Sequence, residues 1–487
     1  MPTLEELKKV RLEKLKSIKD AGLLAYPAKT KRTHTIQEAL SLFGKIFKSK
    51  KAITLSGRIM AMRGHGGATF LDIQDGTAKI QGLVKTDKVG EKGYKFLIDH
   101  FDIGDFIEVK GNLITTKRGE KTIEAEDYKM LSKSLLPLPE KWHGLQDVEE
   151  RLRKRYLDIL FNPEVKDMIQ KRSVFWNSMR NFLIKKGFLE VETPVLEVTT
   201  GGADAKPFET HHNALDIDLY LRISTGELWQ KKLMVAGFEK TFEIGRQFRN
   251  EGMDAEHLQD YTQMEFYWGY ADYEMGMDLV EELYKHVIKE TFGTLKFKIK
   301  DFEVDFSKKW EKYDYWTIIN KYAKIDILEA SLPEMEKQLQ KLSIDYDKNG
   351  FNKTRAIDNL WKYCRKNLSG PGFLVNLPID VSPLAKRDEK NPKMAQRFQV
   401  ILAGSEMGNG YSELNDPLDQ EERFKEQEKL RKAGDQEAQM FDKDFVEALE
   451  YGMPPTCGFG LSERLFSFLM NKPARETQIF PLMRPKE

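Results

Sequence analysis

The sequence predicts an α+β protein: a small all-β barrel of five strands, then a larger region in which strands alternate with helices. Three stretches predict it. Between Ile53 and Leu131 five short runs, ITLSGRIMAMR, ATFLDIQD, AKIQGLVK, DFIEVKGNLITTK and KTIEAEDYKML, are punctuated by glycine and polar turns, the spacing of a small barrel. From Val165 to Lys186 apolar residues recur at helical spacing, and Gly187 follows as a stop signal. From Thr241 to Tyr273 the period falls to two. Apolar residues sit mainly on even positions from Phe242 to Phe248 and again at Met264, Phe266 and Trp268, around a polar loop with Gly252, Asp254 and His257.

At 487 residues the chain has room for two or three domains. Its 78 Lys and Arg stand against 77 Asp and Glu, so bulk charge announces no nucleic-acid partner and no DNA-binding surface. The distribution says more. Through Lys51 there are 13 basic and 5 acidic residues, which suits either a backbone-phosphate contact or an ordinary solvated helix. Cys364 and Cys457 are far apart and lack metal-ligand spacing, which argues against a disulfide framework or a zinc site. No apolar run approaches the roughly 20 residues of a membrane span, and the amino terminus lacks a signal-peptide core, so the expectation is a soluble, cytoplasmic protein with no membrane partner.

In order, residues 1–51 read as a basic helical extension, with an amphipathic helix over Leu4–Asp20 ending near Gly22 and a second over Thr35–Phe47. Residues 52–135 hold the strands, with a helical insert near Tyr94–Phe101, and match a Greek-key barrel of the oligonucleotide-binding kind. Such barrels stack single-stranded bases on aromatics and read their edges with polar side chains. Phe70 and Gln81 are of the right type, although Phe70 taken alone reads as core.

Residues 136–160 form a linker, stiffened by Pro137 and Pro139 and helical after Asp147. The rest, 161–487, opens with the 165–186 helix and FLEVETPVLEVTTGGADAKPF. A strand pair around Asp216 and Leu221, a helix through Leu233, the period-two hairpin and a helix over Asp272–Thr291 follow. Residues 296–368 look like mixed strands and helices inserted into this domain and receive no chemistry. Val400–Ala403 make a buried strand broken by Gly404. The return MGNGYSEL sets Asn409, Tyr411 and Glu413 at intervals of two on one side. PPTCGFGLSERLFSFLMN is a glycine-rich strand running into a helix that carries Arg464.

The hairpin presents Arg249, Glu251, Glu265 and Tyr267 to a common surface. A guanidinium fork suits phosphate oxygens, and an ionised carboxylate only accepts, so together they suit a ligand with phosphate at one end and a cation at the other. A solvated sheet face with weak cross-strand ion pairs is the plainer alternative.

The wording of these motifs points further. FRNE resembles the second signature motif of class II aminoacyl-tRNA synthetases, RKRYLDIL resembles the linker of lysyl-tRNA synthetases of that class, the stretch around Pro194 resembles the first motif, and GFGLSER with Arg464 the third. They occur in the family's order, span nearly all of the chain after residue 150, and are preceded by a matching barrel. The chain thus resembles a divergent, bacterial-type branch of the class II lysyl-tRNA synthetases.

That resemblance implies an antiparallel catalytic sheet flanked by helices, an OB-fold anticodon-binding domain and a homodimer. It implies attachment of L-lysine to the 3′ end of lysine tRNA through a lysyl-adenylate, with ATP as substrate and Mg2+ as cofactor. Arg249 and Arg464 would be catalytic. Arg249, Glu251, His257, Tyr261, Glu406 and Arg464 would hold ATP. Glu227, Glu265, Tyr267, Asn409, Tyr411 and Glu413 would surround lysine, a cluster of carboxylates costly to bury until a cation arrives. Arg63, Phe70, Gln81 and Glu120 would meet the anticodon, a U-rich triplet.

The chain also departs from the family pattern. Gln399 stands where the family has a magnesium-binding carboxylate, leaving Glu406 as the acidic metal ligand. Glu256 replaces a common Arg, LQDY replaces NPEF, GFGLSER is one residue short, and RISTGEL is one residue long before Glu227. The alternatives are a class II paralogue of other amino-acid or acceptor specificity, and an inactive RNA-binding regulator. The retained Arg249, Glu251, Glu265, Glu413 and Arg464 speak against the last.

Overall fold

The computed structural model describes residues 3–139, 147–203, 205–252, 256–348, 351–432 and 438–486. Part of the expected linker, 140–146, and Asp254 of the expected hairpin loop lie outside them. The chain divides into two compact units, 1–146 and 147–487.

In the first unit five strands close a barrel in the order Ile53–His65, Ala68–Gln74, Lys79–Lys85, Lys121–Ser132, Phe106–Thr115. Alternation fills it: Leu55, Ile59, Leu71, Ile73, Val84, Val109 and Ile123 are fully buried. The insert is a helix over Thr86–His100. The Leu4–Asp20 helix starts at a capping box in which Thr3 and Glu6 satisfy each other's backbone N–H groups. Its Leu15 and Ile18, with Ile36, Ala39 and Phe43, join the barrel's own core. The second expected helix is two, Ile36–Ser41 and Phe43–Ser49, interrupted at Leu42.

The second unit is built on an eight-stranded sheet ordered Glu311–Asp314, Gly372–Val375, Arg397–Leu402, Ser405–Ser412, Thr456–Ser462, Asp260–Gly269, Lys240–Phe248, Leu189–Glu190. The six central strands pair antiparallel; each edge strand pairs parallel with its neighbour. Period two separates the sheet's faces. Phe242, Phe266, Phe398 and Phe459 point to one side, where they pack with Phe175, Met179 and Leu183 of the Pro163–Lys185 helix and Val280, Leu283 and Val287 of the Tyr273–Phe292 helix. Glu243, Glu265, Tyr267 and the glycines at 458 and 460 alternate with them and take the other side.

The inserted segment supplies the Glu311–Asp314 edge strand and three helices, Tyr315–Ala323, Leu332–Lys341 and Lys353–Cys364, around a core of its own that includes Ile319, Met335, Leu339 and Leu360. Among the described residues no helix is long and apolar enough to cross a membrane.

Candidate active site

On the open face of the sheet lies a cavity of about 500 Å³ whose lining includes Glu227, Arg249, Glu265, Tyr267, Tyr411 and Glu413. The lining also takes in Glu251, His257, Tyr261, Glu406, Asn409, Arg464 and Gln399, so every residue expected around ATP, lysine or magnesium comes to one place. Glycine makes the space. Gly458 stands opposite Tyr267 on one side and Tyr411 on the other, and a Cβ there would collide with the Glu413 carboxylate and the Tyr267 ring.

At one end three carboxylates converge. Glu227 starts the Glu227–Val235 helix behind Gly226, whose φ of +70° favours glycine; Glu265 lies on the Asp260–Gly269 strand; Glu413 follows the Ser405–Ser412 strand. All three are buried. Glu265 accepts from Thr225 N at 2.7 Å, Gln263 Nε2 at 2.7 Å and the Tyr267 hydroxyl at 3.1 Å. Burial, reinforced by Glu227, pushes its carboxyl up to about 7. Burial likewise pushes Glu413 well above the usual carboxylate range, against the pull of Lys231.

Lys231 corrects the expectation that only a ligand neutralises these acids. It is fully buried, with Nζ 2.9 Å from Glu227 and 2.6 Å from Glu413. Burial disfavours its charge, but the two carboxylates outweigh that and raise its pKa. The Tyr411 hydroxyl donates to Glu227 as well. The signal was present in the sequence as an i,i+4 Glu–Lys pair, a spacing far more often found on solvated helix faces. With all three carboxylates ionised, the one internal lysine leaves two negative charges, the number of ammonium groups on a free lysine.

Glu243, directly across the hairpin from Glu265, is answered separately by Arg222 at 2.6 Å. Asn409 is held by Arg397, whose Nε donates at 2.8 Å and which lines the cavity too. The sequence reading gave no role to Lys231, Gln263 or Arg397, although Gln263 shares the period-two side of Glu265 on its strand.

At the other end Arg249 donates from Nε to the Ile223 carbonyl at 3.4 Å and stands 5.7 Å from the Tyr261 ring centre. Glu251 is exposed and accepts from the backbone of Lys206 at 3.4 Å; His257 is exposed in the lining. Arg464 donates from Nη1 to the Glu406 carbonyl at 3.2 Å and from Nη2 to the Glu256 carboxylate. Lys300 also meets Glu256, at 3.0 Å. Burial opposes ionisation of Glu256, yet Arg464 and Lys300 hold its carboxyl below the usual range.

Glu406 is already engaged. Trp361 Nε1 donates to it at 2.7 Å and Arg365 Nη1 at 2.9 Å, both on Oε1, while Gln399 Nε2 donates to Oε2 at 3.2 Å. Burial works against its charge, but Arg365 and Trp361 keep the carboxyl below the ordinary range. Among the described residues no cluster of three or more His, Cys, Asp or Glu is arranged to hold a metal ion. One guanidinium-bound carboxylate beside a neutral amide does not fit a protein-held magnesium, which seeks carboxylate oxygen free of competing cations. Trp361 and Arg365 come from the inserted region, to which the sequence reading gave no chemistry.

In the barrel, alternation turns Thr69, Leu71 and Ile73 inward and Phe70 outward, so Phe70 is half-buried on the surface and is not core. Arg63 and Phe70 are cross-strand partners, and Gln81 pairs with Asp72 on the adjoining strand. Gln81 accepts from Thr122 at 3.0 Å, and Arg63 donates to Asp72 at 3.0 Å. Glu120 is exposed in the turn before the Lys121–Ser132 strand, two residues from Thr122, the cross-strand partner of Gln81.

Comparison with known proteins agrees with this layout. The family model described as tRNA synthetases class II (D, K and N) matches residues 147–484, and that of an OB-fold nucleic acid binding domain matches 53–131. The chain is 45% identical to a lysine–tRNA ligase of Pelotomaculum thermopropionicum, over 99% of this chain and 96% of that one. It is 43% identical to those of Thermosipho africanus (99% and 97%) and Carboxydothermus hydrogenoformans (99% and 99%).

Proposed function

The chain belongs to the class II tRNA synthetases of the D, K and N group, and from that premise we propose how its site works on lysine, ATP and tRNA. The protein is an aminoacyl-tRNA synthetase that charges tRNA with lysine. One observation carries the assignment of its site: Glu227, Glu265 and Glu413 converge with a single internal cation, Lys231, in a cavity that Arg249 and Arg464 also line. The two ammonium groups of the substrate neutralise the remaining acids, which leaves its carboxylate toward the guanidinium end. There Arg249 meets the α-phosphate of ATP, Glu251 the adenine amino group, Tyr261 the adenine face, and Arg464 and His257 the outer phosphates.

The amino acid's carboxylate is already ionised, so its attack on the α-phosphate needs no protein base. Positioning and charge neutralisation supply the rate, and pyrophosphate leaves. The ribose hydroxyl at the tRNA 3′ end then takes the acyl group and releases AMP. Magnesium would enter as the counter-ion of ATP, neutralising phosphate charge.

Residues 52–135 serve as the anticodon-binding domain, with Phe70 as a stacking surface flanked by Arg63 and Gln81, and with Glu120 at its margin. Residues 1–51 add a basic extension, 136–160 join it to the catalytic domain 161–487, and 296–368 are an insertion there. The enzyme works in the cytoplasm as a homodimer. Leu189 on the sheet's edge strand, and Val195, Leu196 and Val198 just beyond it, expose apolar surface of the kind a partner subunit covers.

Lysine-dependent exchange of pyrophosphate into ATP tests the catalytic half. Strong exchange with lysine and none with aspartate is expected; exchange with aspartate alone would reassign the pocket, and none with any amino acid would favour an inactive RNA-binding protein. Phe70→Ala tests the barrel. It should lower aminoacylation by about tenfold or more, the worth of one base–aromatic stack, and leave exchange untouched. A parallel fall in both would refute the division of labour.

A further inference from the structure

Around Glu406 the cavity wall carries more positive than negative charge. Arg365 Nη1 lies 2.9 Å from its carboxylate and Arg464 Nη1 3.2 Å from its backbone carbonyl, while Arg397 lines the same wall. Arg464 and Lys300 share Glu256 next to it. Four cations thus surround these two carboxylates, Arg397 and Arg464 in the lining and Arg365 and Lys300 behind it, and Gln399 beside Glu406 is neutral. Both Glu406 carboxylate oxygens already accept hydrogen bonds, from Arg365 and Trp361 on one side and Gln399 on the other.

Such a wall repels a free divalent cation and attracts a polyphosphate. A hard cation needs several anionic or carbonyl oxygens turned toward it, whereas phosphate oxygens are satisfied by guanidinium forks. We propose that Arg365 takes the place of a protein-bound divalent cation in this wall. By neutralising Glu406 it leaves the nucleotide's phosphates to the arginines, and the site admits only the metal ion that ATP itself carries. Arg365 is a positioning residue, because it acts through Glu406. The proposal rests on the reading of this cavity as the ATP site.

The test is the number of Mn2+ ions bound per site, counted by electron paramagnetic resonance with α,β-methylene-ATP, which binds without reacting. The unmodified chain should bind one Mn2+ per nucleotide, Arg365→Lys also one, and the double variant Arg365→Gln with Gln399→Glu two. Arg365→Gln alone is the second probe: nucleotide affinity in EDTA should fall by about threefold or more, while affinity with Mn2+ stays nearly constant because the ion replaces the lost charge. Equal losses with and without metal would mark a merely structural arginine and overturn the proposal. So would a double variant that still binds one ion. Two or more ions on an unmodified chain that binds nucleotide normally would overturn it and spare the ATP reading; a chain that binds no nucleotide would overturn both.

Discussion

Glu265→Gln should lower lysine-dependent pyrophosphate exchange by about 30-fold to 3,000-fold. Truncating or neutralising one partner of a buried, hydrogen-bonded charge pair costs about 2–5 kcal/mol, and each 1.4 kcal/mol is about tenfold. Glu265 fits that case: it is 3% exposed and bound by Thr225, Gln263 and Tyr267. Glutamine preserves the shape and most of the bonding, so the loss isolates the charge. The protein should remain folded, since a neutral amide removes a desolvation cost.

The same residue sets a pH dependence. Its carboxyl is pushed up to about 7 by burial and by Glu227, so below that pH the empty pocket holds a proton there. A substrate ammonium prefers the ionised form. Lysine affinity therefore rises with pH up to about 7 and then levels, falling about tenfold for each unit below. For the empty fold the sign is opposite: the raised carboxyl contributes stability that is lost as pH climbs from the ordinary carboxylate range to about 7. Calorimetric titration of lysine between pH 5.5 and 8.5 checks the first, and urea denaturation of the empty protein over the same range checks the second. An affinity flat across that range in the parent, or a slope retained in Glu265→Gln, would remove Glu265 from the amino-acid pocket.

What the sequence made legible follows from where period-two patterning controls both faces of a strand. The hairpin at 240–269 was readable because Phe242, Met264 and Phe266 had to go to the helices, which forces Glu265 and Tyr267 into the cavity. The same logic turned Asn409 and Tyr411 inward. Phe70 was misjudged when read alone, because an aromatic residue has no fixed side; only the register that buries Leu71 and Ile73 decides it. Arg365 and Trp361 were illegible for another reason. They lie in a helical insert whose neighbour in space, Glu406, is 41 and 45 residues away, and no local pattern records a contact at that separation. Lys231 was hidden by its ordinariness.

Lys231→Met should destabilise the catalytic unit by about 3–5 kcal/mol near pH 8, the cost of leaving buried charge without its partner. The ammonium touches Glu227 and Glu413, and the rings of Tyr411 and Phe445 lie 5.5 and 5.7 Å away, so water cannot take its place without repacking. The loss should shrink toward pH 5. Glu413 is already pushed well above the usual range, so without Lys231 the folded state can hold that carboxyl protonated, and the penalty grows as pH rises and ionisation is forced. Adding Glu413→Gln to Lys231→Met should recover most of the stability, because one uncompensated charge disappears, and should recover lysine-dependent exchange as well, because Glu227 and Glu265 still offer two acids to the two ammonium groups of the substrate. That joint return of stability and activity is what a charge-matching role requires; a direct contact of Glu413 with lysine would return the stability alone. Urea denaturation of the parent, the single variant and the double variant at pH 5 and pH 8, beside the exchange assay, measures every term. If Lys231→Met proved as stable as the parent at pH 8, or if the double variant regained stability without exchange, the two-charge match between pocket and substrate would be wrong.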